Sequence, residues 1–271
     1  MSEPIAVIAG AGHFPVYVAQ EALRQGHAVV GIGIHGWADP ALARVVSSYE
    51  EVAVGQLARL IERLKAWHVR QAIMAGQVTK AVLLDPRNVF DAEALAVLRG
   101  VGDFSVGSVL GAIGARLARE GVTLLDSSTF LQRHLSPVGP LTARAPTPLE
   151  QDDIQLGVQV ARALAALDVG QTVVVKQRVV IAVEALEGTD ATIRRAHTLA
   201  HDGLVVVKTA SPGHDRRFDL PVIGQETMAT LITSGVSCLA MEAGTTLLLE
   251  KDAIIAAANA SHLCLIGITA P

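Results

Sequence analysis

Between Lys208 and Pro221 the chain reads Lys208-Thr209-Ala210-Ser211-Pro212-Gly213-His214-Asp215-Arg216-Arg217-Phe218-Asp219-Leu220-Pro221, which sets a lysine, two arginines and two aspartates in one loop-like stretch. The rest of the chain is poor in charge. Arginine offers a planar fork for phosphate oxygens, and aspartate holds a hard cation such as Mg²⁺ or orients water, so these residue types suit cleavage of a phosphoanhydride. The plainer alternative is a solvated turn whose Asp and Arg side chains pair with one another.

Two further polar stretches bear on that choice. Glu184-Ala185-Leu186-Glu187-Gly188-Thr189-Asp190 leaves an apolar run through an acidic, glycine-containing turn and enters a helix, and Met241-Glu242-Ala243-Gly244-Thr245-Thr246 lies between two apolar runs. Singly, each is explained by a helix cap or a turn. Together with Lys208 and the Asp215–Asp219 loop they supply the carboxylates, cations and small residues of a phosphate-cleaving pocket.

The third candidate is the opening turn, Gly10-Ala11-Gly12-His13-Phe14-Pro15, directly after the apolar run Ile5–Ile8. Backbone N–H groups and a helix N-terminus at such a turn face an anion, so a nucleotide or phosphate fits there, as does a merely structural turn. Proline stands where the dinucleotide fingerprint has its third glycine, and the second strand ends in Gly33-Ile34-His35-Gly36 with no acidic residue for a ribose hydroxyl. NAD binding is thereby weakened. His13 either contacts a nucleotide or caps the helix.

Other chemistry-bearing residues read as structural. His197 and His201 have the spacing of two zinc ligands but lack the glutamate that follows the first histidine of a zinc-protease helix, so surface histidines are expected. Trp37 and Trp67 read as packing residues, Cys238 and Cys264 as buried apolar thiols with no zinc or disulfide framework, and Asp103 as a helix cap or a ligand.

The elements that position these residues begin with strand and helix in alternation: Ile5–Ile8, a helix opening near Pro15 and ending near Gly26, Ala28–Ile34, Val52–Val54, a helix marked by Leu57, Leu60, Ile61 and Leu64, Ala72–Ala75 ending in Gly76-Gln77, and Val122–Leu125 ending in Asp126-Ser127-Ser128. This predicts a Rossmann-like, mostly parallel sheet over residues 1–135, whose ligands lie outside the carboxyl ends of its strands. The proline-rich stretch 136–148 reads as a linker. Residues 149–271 change grammar, with a hairpin of Thr172–Val175 and Val179–Val183 about Lys176-Gln177-Arg178, then helices near 226–234 and 252–260 among the strands 204–207, 237–241, 246–249 and 263–268. A mixed α/β domain follows.

Composition narrows the class. With 51% hydrophobic and 18% charged residues, disorder is excluded, and with 3% aromatics the core must be aliphatic. A net charge of −4 without a dense basic block gives no footprint for nucleic acid. The apolar runs are strand-sized and Met1-Ser2-Glu3-Pro4 has no basic n-region, so a soluble cytoplasmic protein without a secretory signal is expected.

At these motifs the chain resembles the LpxI-type UDP-2,3-diacylglucosamine pyrophosphatases of the lipid A pathway. The matching stretches are Ile8–Pro15, Asp168-Val169-Gly170-Gln171, Ala182–Asp190, Pro212–Pro221 and Glu242–Leu248, in order along nearly the whole chain. The resemblance implies hydrolysis of the substrate's pyrophosphate to UMP and 2,3-diacylglucosamine 1-phosphate with Mg²⁺ or another divalent cation. It also implies an N-terminal UDP-binding domain and a C-terminal domain for the acylated sugar phosphate, transient contact with the inner membrane, and a homodimer. Asp219, Asp215 and Arg217 then look catalytic, with Asp219 and Asp215 toward the metal. Glu184, Gly188, Thr189, Asp190, Lys208, Glu242 and Gly244 line the sugar-phosphate side, and Gly10, Gly12, His13, Phe14, Gly76 and Gln77 the nucleotide side. Two readings compete: an NAD-linked or sugar-nucleotide oxidoreductase, and a non-catalytic nucleotide or lipid sensor.

Overall fold

The structure, a computed structural model, describes residues 3–78, 88–103, 105–167, 169–210, 215–218 and 220–269. It divides into two units, one holding the chain up to Leu131 together with 215–218, the other holding the rest from Gln132 onward. Asp219 and the segment 211–214 lie outside the described residues.

The first unit opens with β1 (Ile5–Ala9), α1 (Phe14–Arg24), β2 (Val29–Ile34), α2 (Leu42–Val45) and β3 (Tyr49–Val52), and continues with α3 (Leu57–Ala66) and β4 (Gln71–Ala75). Then come α4 (Ala92–Arg99), α5 (Val106–Arg119) and the short β5 (Thr123–Leu124). All its strand pairs are parallel, in the order β3-β2-β1-β4-β5. The unbroken apolar run of β1 is buried at all five positions, as a central strand covered on both faces requires. Chain order reverses between β1 and β4, which makes their carboxyl ends the crevice where a sheet of this kind binds ligands.

The third strand differs from its predicted place. Val52–Val54 is the more apolar run, yet the strand is Tyr49–Val52, with only Val52 fully buried. As an edge strand it is set by backbone pairing to β2, from Gly31↔Tyr49 to Ile34↔Val52, so its polar residues are tolerated.

The second unit contains β6 (Gly139–Pro140), α6 (Pro148–Ala166), β7 (Thr172–Lys176), β8 (Val179–Val183), α7 (Thr189–Ala200) and β9 (Leu204–Lys208). It continues with β10 (Val222–Ile223), α8 (Gln225–Thr233), β11 (Val236–Glu242), β12 (Leu247–Leu248), α9 (Lys251–Ala260) and β13 (Cys264–Ile268). Six of its strands form a sheet in the order β6-β13-β11-β9-β7-β8, in which β9, β11 and β13 run parallel and the others antiparallel to their neighbours. The mixed sheet accords with the α/β expectation. The proline-rich stretch holds an edge strand, with Gly139 and Pro140 paired to β13 and Leu141 N donating to Leu265 O at 2.9 Å.

Side-chain alternation sorts the strands of this sheet into two cores. Val205, Val207, Cys238, Ala240 and Cys264 pack with Ile154 of α6, whereas Leu204, Val206, Leu239, Met241 and Leu265 pack with Ile193, Met228, Leu231 and Ile254. The same alternation carries Lys208 to the side of α7. The predicted hairpin is present, and its turn residues Gln177 (φ 50°) and Arg178 (φ 60°) both donate their N–H groups to the buried carboxylate of Asp153. α6 starts on a reciprocal cap, Thr147 accepting from Glu150 N while Glu150 accepts from Thr147 N. Among the described residues, no helix is long and apolar enough to cross a membrane.

Candidate active site

In the first unit, the glycine turn is built against the end of β4. Gly10 N donates to Ala75 O at 2.8 Å, and Ala11 and Gln77 exchange N–H···O bonds of 2.8 and 3.1 Å. A Cβ on Gly10 would lie 2.7 Å from Gln77 O, and one on Gly76 2.7 Å from Ala11 O, so both positions require glycine for backbone to meet backbone. Gly12, at φ +86°, faces open space and turns the chain into α1, where Phe14 and Pro15 begin the helix. His13 stands at the N-cap without capping through its side chain. Its Nδ1 lies 2.8 Å from Asp39 Oδ2, while Asp39 Oδ1 accepts from Ala41 N. The hydrogen bond from His13, then that from Ala41 N, holds the Asp39 carboxyl below its ordinary value.

The segment 215–218 is held at the same carboxyl end of the sheet. Ser127, 2% exposed just past β5, directs its hydroxyl to Met74 O at 2.8 Å and Arg217 O at 3.0 Å, and its N–H donates to Arg216 O at 2.9 Å. The Arg216 guanidinium lies 3.0 Å from Asp126 Oδ2 and donates to Ser128 Oγ. Phe218 packs into the core of this unit. Asp215 and Arg217 meet through bonds of 2.6, 2.9 and 3.1 Å, the pairing the plainer reading of this run foresaw, and that pairing raises the Arg217 pKa. Arg217 also lies 4.8 Å from the Phe218 ring centroid.

In the second unit, a separate cluster gathers at the carboxyl end of β9. Lys208 is 6% exposed, and its Nζ donates to Thr189 Oγ1 at 2.8 Å and Thr172 Oγ1 at 3.2 Å. The Thr189 hydroxyl in turn donates to Glu184 Oε1 at 2.8 Å, so one hydroxyl separates ammonium from carboxylate. Burial alone would raise the Glu184 pKa, but the Lys208 charge and the hydrogen bonds from Thr172, Thr189 and Gln171 N outweigh it and the value is lowered. Gly188 caps α7, whose first residues are Thr189 and Asp190. On the neighbouring β11, Glu242 accepts from Ala210 N at 3.1 Å, and Gly244 (φ +74°) turns the chain beyond it.

Three buried oxygens in this unit, Asp190 Oδ1, Thr209 Oγ1 and Thr246 Oγ1, have no hydrogen-bond partner among the described residues. Such groups are normally satisfied, so Asp190 and Thr209, next in the chain to Thr189 and Lys208, suit a polar ligand. Lys208 itself has a third N–H beyond its two threonine bonds. Thr172 and Thr209 were not singled out from sequence. Their signal was position alone, one at the start of β7 and one immediately after β9.

The structure thus assembles the nucleotide-side residues with Asp215 and Arg217 in one unit, and Glu184, Gly188, Thr189, Asp190 and Lys208, with Glu242 and Gly244 on the next strand, in the other. Among the described residues no three His, Cys, Asp or Glu side chains converge as a metal site. Asp215 has both oxygens on Arg217, so the described residues by themselves do not fit a resident ion. His197 Nδ1 lies 3.6 Å from Asp202, in keeping with a surface histidine. Asp103 accepts from Ser105 N and Ser108 Oγ at the head of α5, a structural role. Both cysteines are buried and face each other across β11 and β13.

The model of the LpxI N-terminal domain matches residues 4–134, and that of the LpxI C-terminal domain matches residues 137–266. The chain belongs to the LpxI family. It is 30% identical over 276 residues to the UDP-2,3-diacylglucosamine pyrophosphatase LpxI of Caulobacter vibrioides (strain ATCC 19089 / CIP 103742 / CB 15), covering 97% of each protein. Solved structures of other families are more distant from this LpxI member. A UDP-glucose 4-epimerase from Brucella ovis in complex with NAD superposes with a TM-score of 0.29 at 21% identity, over 44% of this chain and 34% of that one. CobK precorrin-6A reductase superposes with a TM-score of 0.31 at 14% identity, over 100% and 89%. At these scores neither likeness bears on function.

Proposed function

We infer that this chain hydrolyses the pyrophosphate bond of UDP-2,3-diacylglucosamine, releasing UMP and 2,3-diacylglucosamine 1-phosphate in lipid A biosynthesis. The family match along the whole chain carries this reading. The geometry supports a division of labour. Residues 1–135 take the UDP moiety at the glycine turn, where backbone N–H groups and the start of α1 favour an anion. Residues 149–271 take the acylated sugar phosphate, with the Lys208 ammonium meeting phosphate oxygens and the open valences near Thr209 and Asp190 meeting sugar hydroxyls. Gly170 packs closely on the Glu184 backbone, and the exposed Val169 and Leu186 flank that contact, which supports acyl chains lying along this edge.

Arg217 clamps phosphate oxygens, and Asp215 holds that guanidinium in orientation. Asp219 is assigned the role most tied to turnover, positioning water or binding an ion. Pyrophosphatases commonly use divalent cations, which neutralise phosphate oxygens when bound. Mg²⁺ is the ion proposed; of the two carboxylates the resemblance assigns to it, Asp215 is engaged by Arg217, which leaves Asp219 as the residue that would hold it. The enzyme is placed in the cytoplasm with transient contact at the inner membrane, where its substrate resides, and its homodimer is proposed on the family resemblance. Asp219→Ala tests the catalytic assignment: turnover is lost while substrate binding, followed by calorimetry, largely remains. Unchanged turnover would remove Asp219 from the mechanism.

A further inference from the structure

The strand register brings together a group of side chains that sequence order keeps apart. Parallel sheets of this kind place an acidic residue at the end of the second strand to accept from ribose hydroxyls. Here β2 ends in Ile34-His35-Gly36, but Gly33 pairs with Glu51 of β3. Glu51 is oriented from two sides, its Oε2 lying 2.7 Å from His35 Nδ1 and its Oε1 accepting from Tyr49 Oη at 3.1 Å. The acidic residue missing from β2 is supplied by its neighbour.

This cluster is continuous with the glycine turn. Ala11 and Gly12 both bridge to Ala38, next to Asp39. A Cβ on Gly33 would collide with Tyr49 Oη and approach Ala38 Cβ, so turn, Ala38, Gly33 and Tyr49 lie in direct succession. Glu51 keeps 40% of its side chain exposed and His35 75%, and each carboxylate oxygen has a lone pair beyond its present bond. Burial, then the bond to Glu51, pushes the Tyr49 hydroxyl up to about 12, so it stays protonated and a donor to Glu51. The adjoining Glu50 turns the other way, to Arg59 and Arg63, and Asp39 has one oxygen on His13 and the other on Ala41 N, so Glu51 is the β3 carboxylate on the His35–Tyr49 side.

We propose that Glu51, oriented by His35 and Tyr49, is the ribose-recognition residue of this chain, accepting from the 2′- and 3′-hydroxyls of a nucleotide whose phosphates lie at the glycine turn. The proposal rests on the nucleotide reading of that turn and adds what selects the sugar. A hydroxyl that pairs with a carboxylate leaves it unpaired when removed, so the site discriminates against deoxy analogues.

The test is calorimetric titration of the full chain with UDP, 2′-deoxy-UDP and 3′-deoxy-UDP, for the wild type, Glu51→Ala and the control Glu50→Ala. The wild type and Glu50→Ala prefer UDP over at least one deoxy analogue by about tenfold or more, the range for a hydrogen bond to a charged acceptor. In Glu51→Ala the three ligands converge to within about twofold. Equal wild-type affinity for all three, or a preference retained in Glu51→Ala, overturns the ribose assignment while leaving the nucleotide site standing. Failure of the wild type to bind UDP overturns both.

Discussion

Lys208→Met removes a buried ammonium while keeping most of its apolar stem, and its effect has a sign that depends on pH. Lys208 is 6% exposed, and the neighbouring Glu184 depends on its charge to offset burial. Breaking a buried ionic arrangement from one side costs about 3–5 kcal/mol. Glu184 keeps bonds from Thr189 and Gln171 N, so the lower end, about 3 kcal/mol at pH 7.5, is expected. In the wild type the folded Glu184 pKa is lowered, so its contribution is present above the unfolded value and is lost as pH falls through the folded one. In the variant the Lys208 charge is gone and burial is opposed only by the hydrogen bonds from Thr172, Thr189 and Gln171 N, so the folded pKa stands above the wild-type one and the variant gains less stability than the wild type as pH rises. The gap therefore widens with pH.

In the variant the Glu184 carboxyl takes up a proton more readily as pH falls and then no longer needs the ammonium, so the deficit is smaller at pH 4 than at pH 7.5 and tends towards the loss of the two hydrogen bonds of Nζ, about 1 kcal/mol at the low end of about 0.5 kcal/mol each. Adding Glu184→Gln to Lys208→Met restores about 2 kcal/mol at pH 7.5, the part owed to the unpaired charge, and little at pH 4. Urea unfolding followed by circular dichroism at both pH values reads all three proteins. An equal deficit at the two pH values, or further loss in the double variant at pH 7.5, would refute the electrostatic account of this cluster.

Two other variants probe the first unit. Ser127→Ala frees the 215–218 segment from its anchor at Met74 O and Arg217 O; kcat falls by about tenfold to a hundredfold, as expected for misplaced catalytic groups, while UDP affinity is kept. An unchanged kcat would mean that this anchor does not position the segment. Gly10→Ala places a methyl 2.7 Å from Gln77 O, so the turn must move, destabilising the unit by about 1–3 kcal/mol and weakening UDP binding in calorimetry. Unaltered stability and affinity would contradict the backbone contact between β1 and β4 as the frame of the site.

The parts of this molecule legible in sequence are those encoded locally. The strand, glycine turn and Pro15 helix start could be read because each residue's conformational role is its own, and Lys176-Gln177-Arg178 marked a hairpin by interrupting two valine runs. What could not be read depends on register or on distant chain. Glu51 reaches His35 only because β3 pairs with β2 at one alignment, and apolarity pointed to Val52–Val54 instead. Ser127 and Arg217 stand 90 residues apart, so no local pattern announces their bond. The proline-rich stretch looked like a linker because proline interrupts periodicity, yet a proline on an edge strand is tolerated where its missing N–H is not needed, as at Pro140 beside β13. Lys208, Thr189 and Glu184 were each visible as polar residues at element ends; the hydroxyl set between the two charges was not.

The most direct measurement is incubation of the purified chain with UDP-2,3-diacylglucosamine and Mg²⁺, with and without EDTA, following UMP and the diacylated sugar phosphate together. Metal-dependent release of both products in equal amounts is the predicted result. Intact substrate that nevertheless binds the protein would contradict hydrolysis and leave the chain a binding protein on the same scaffold.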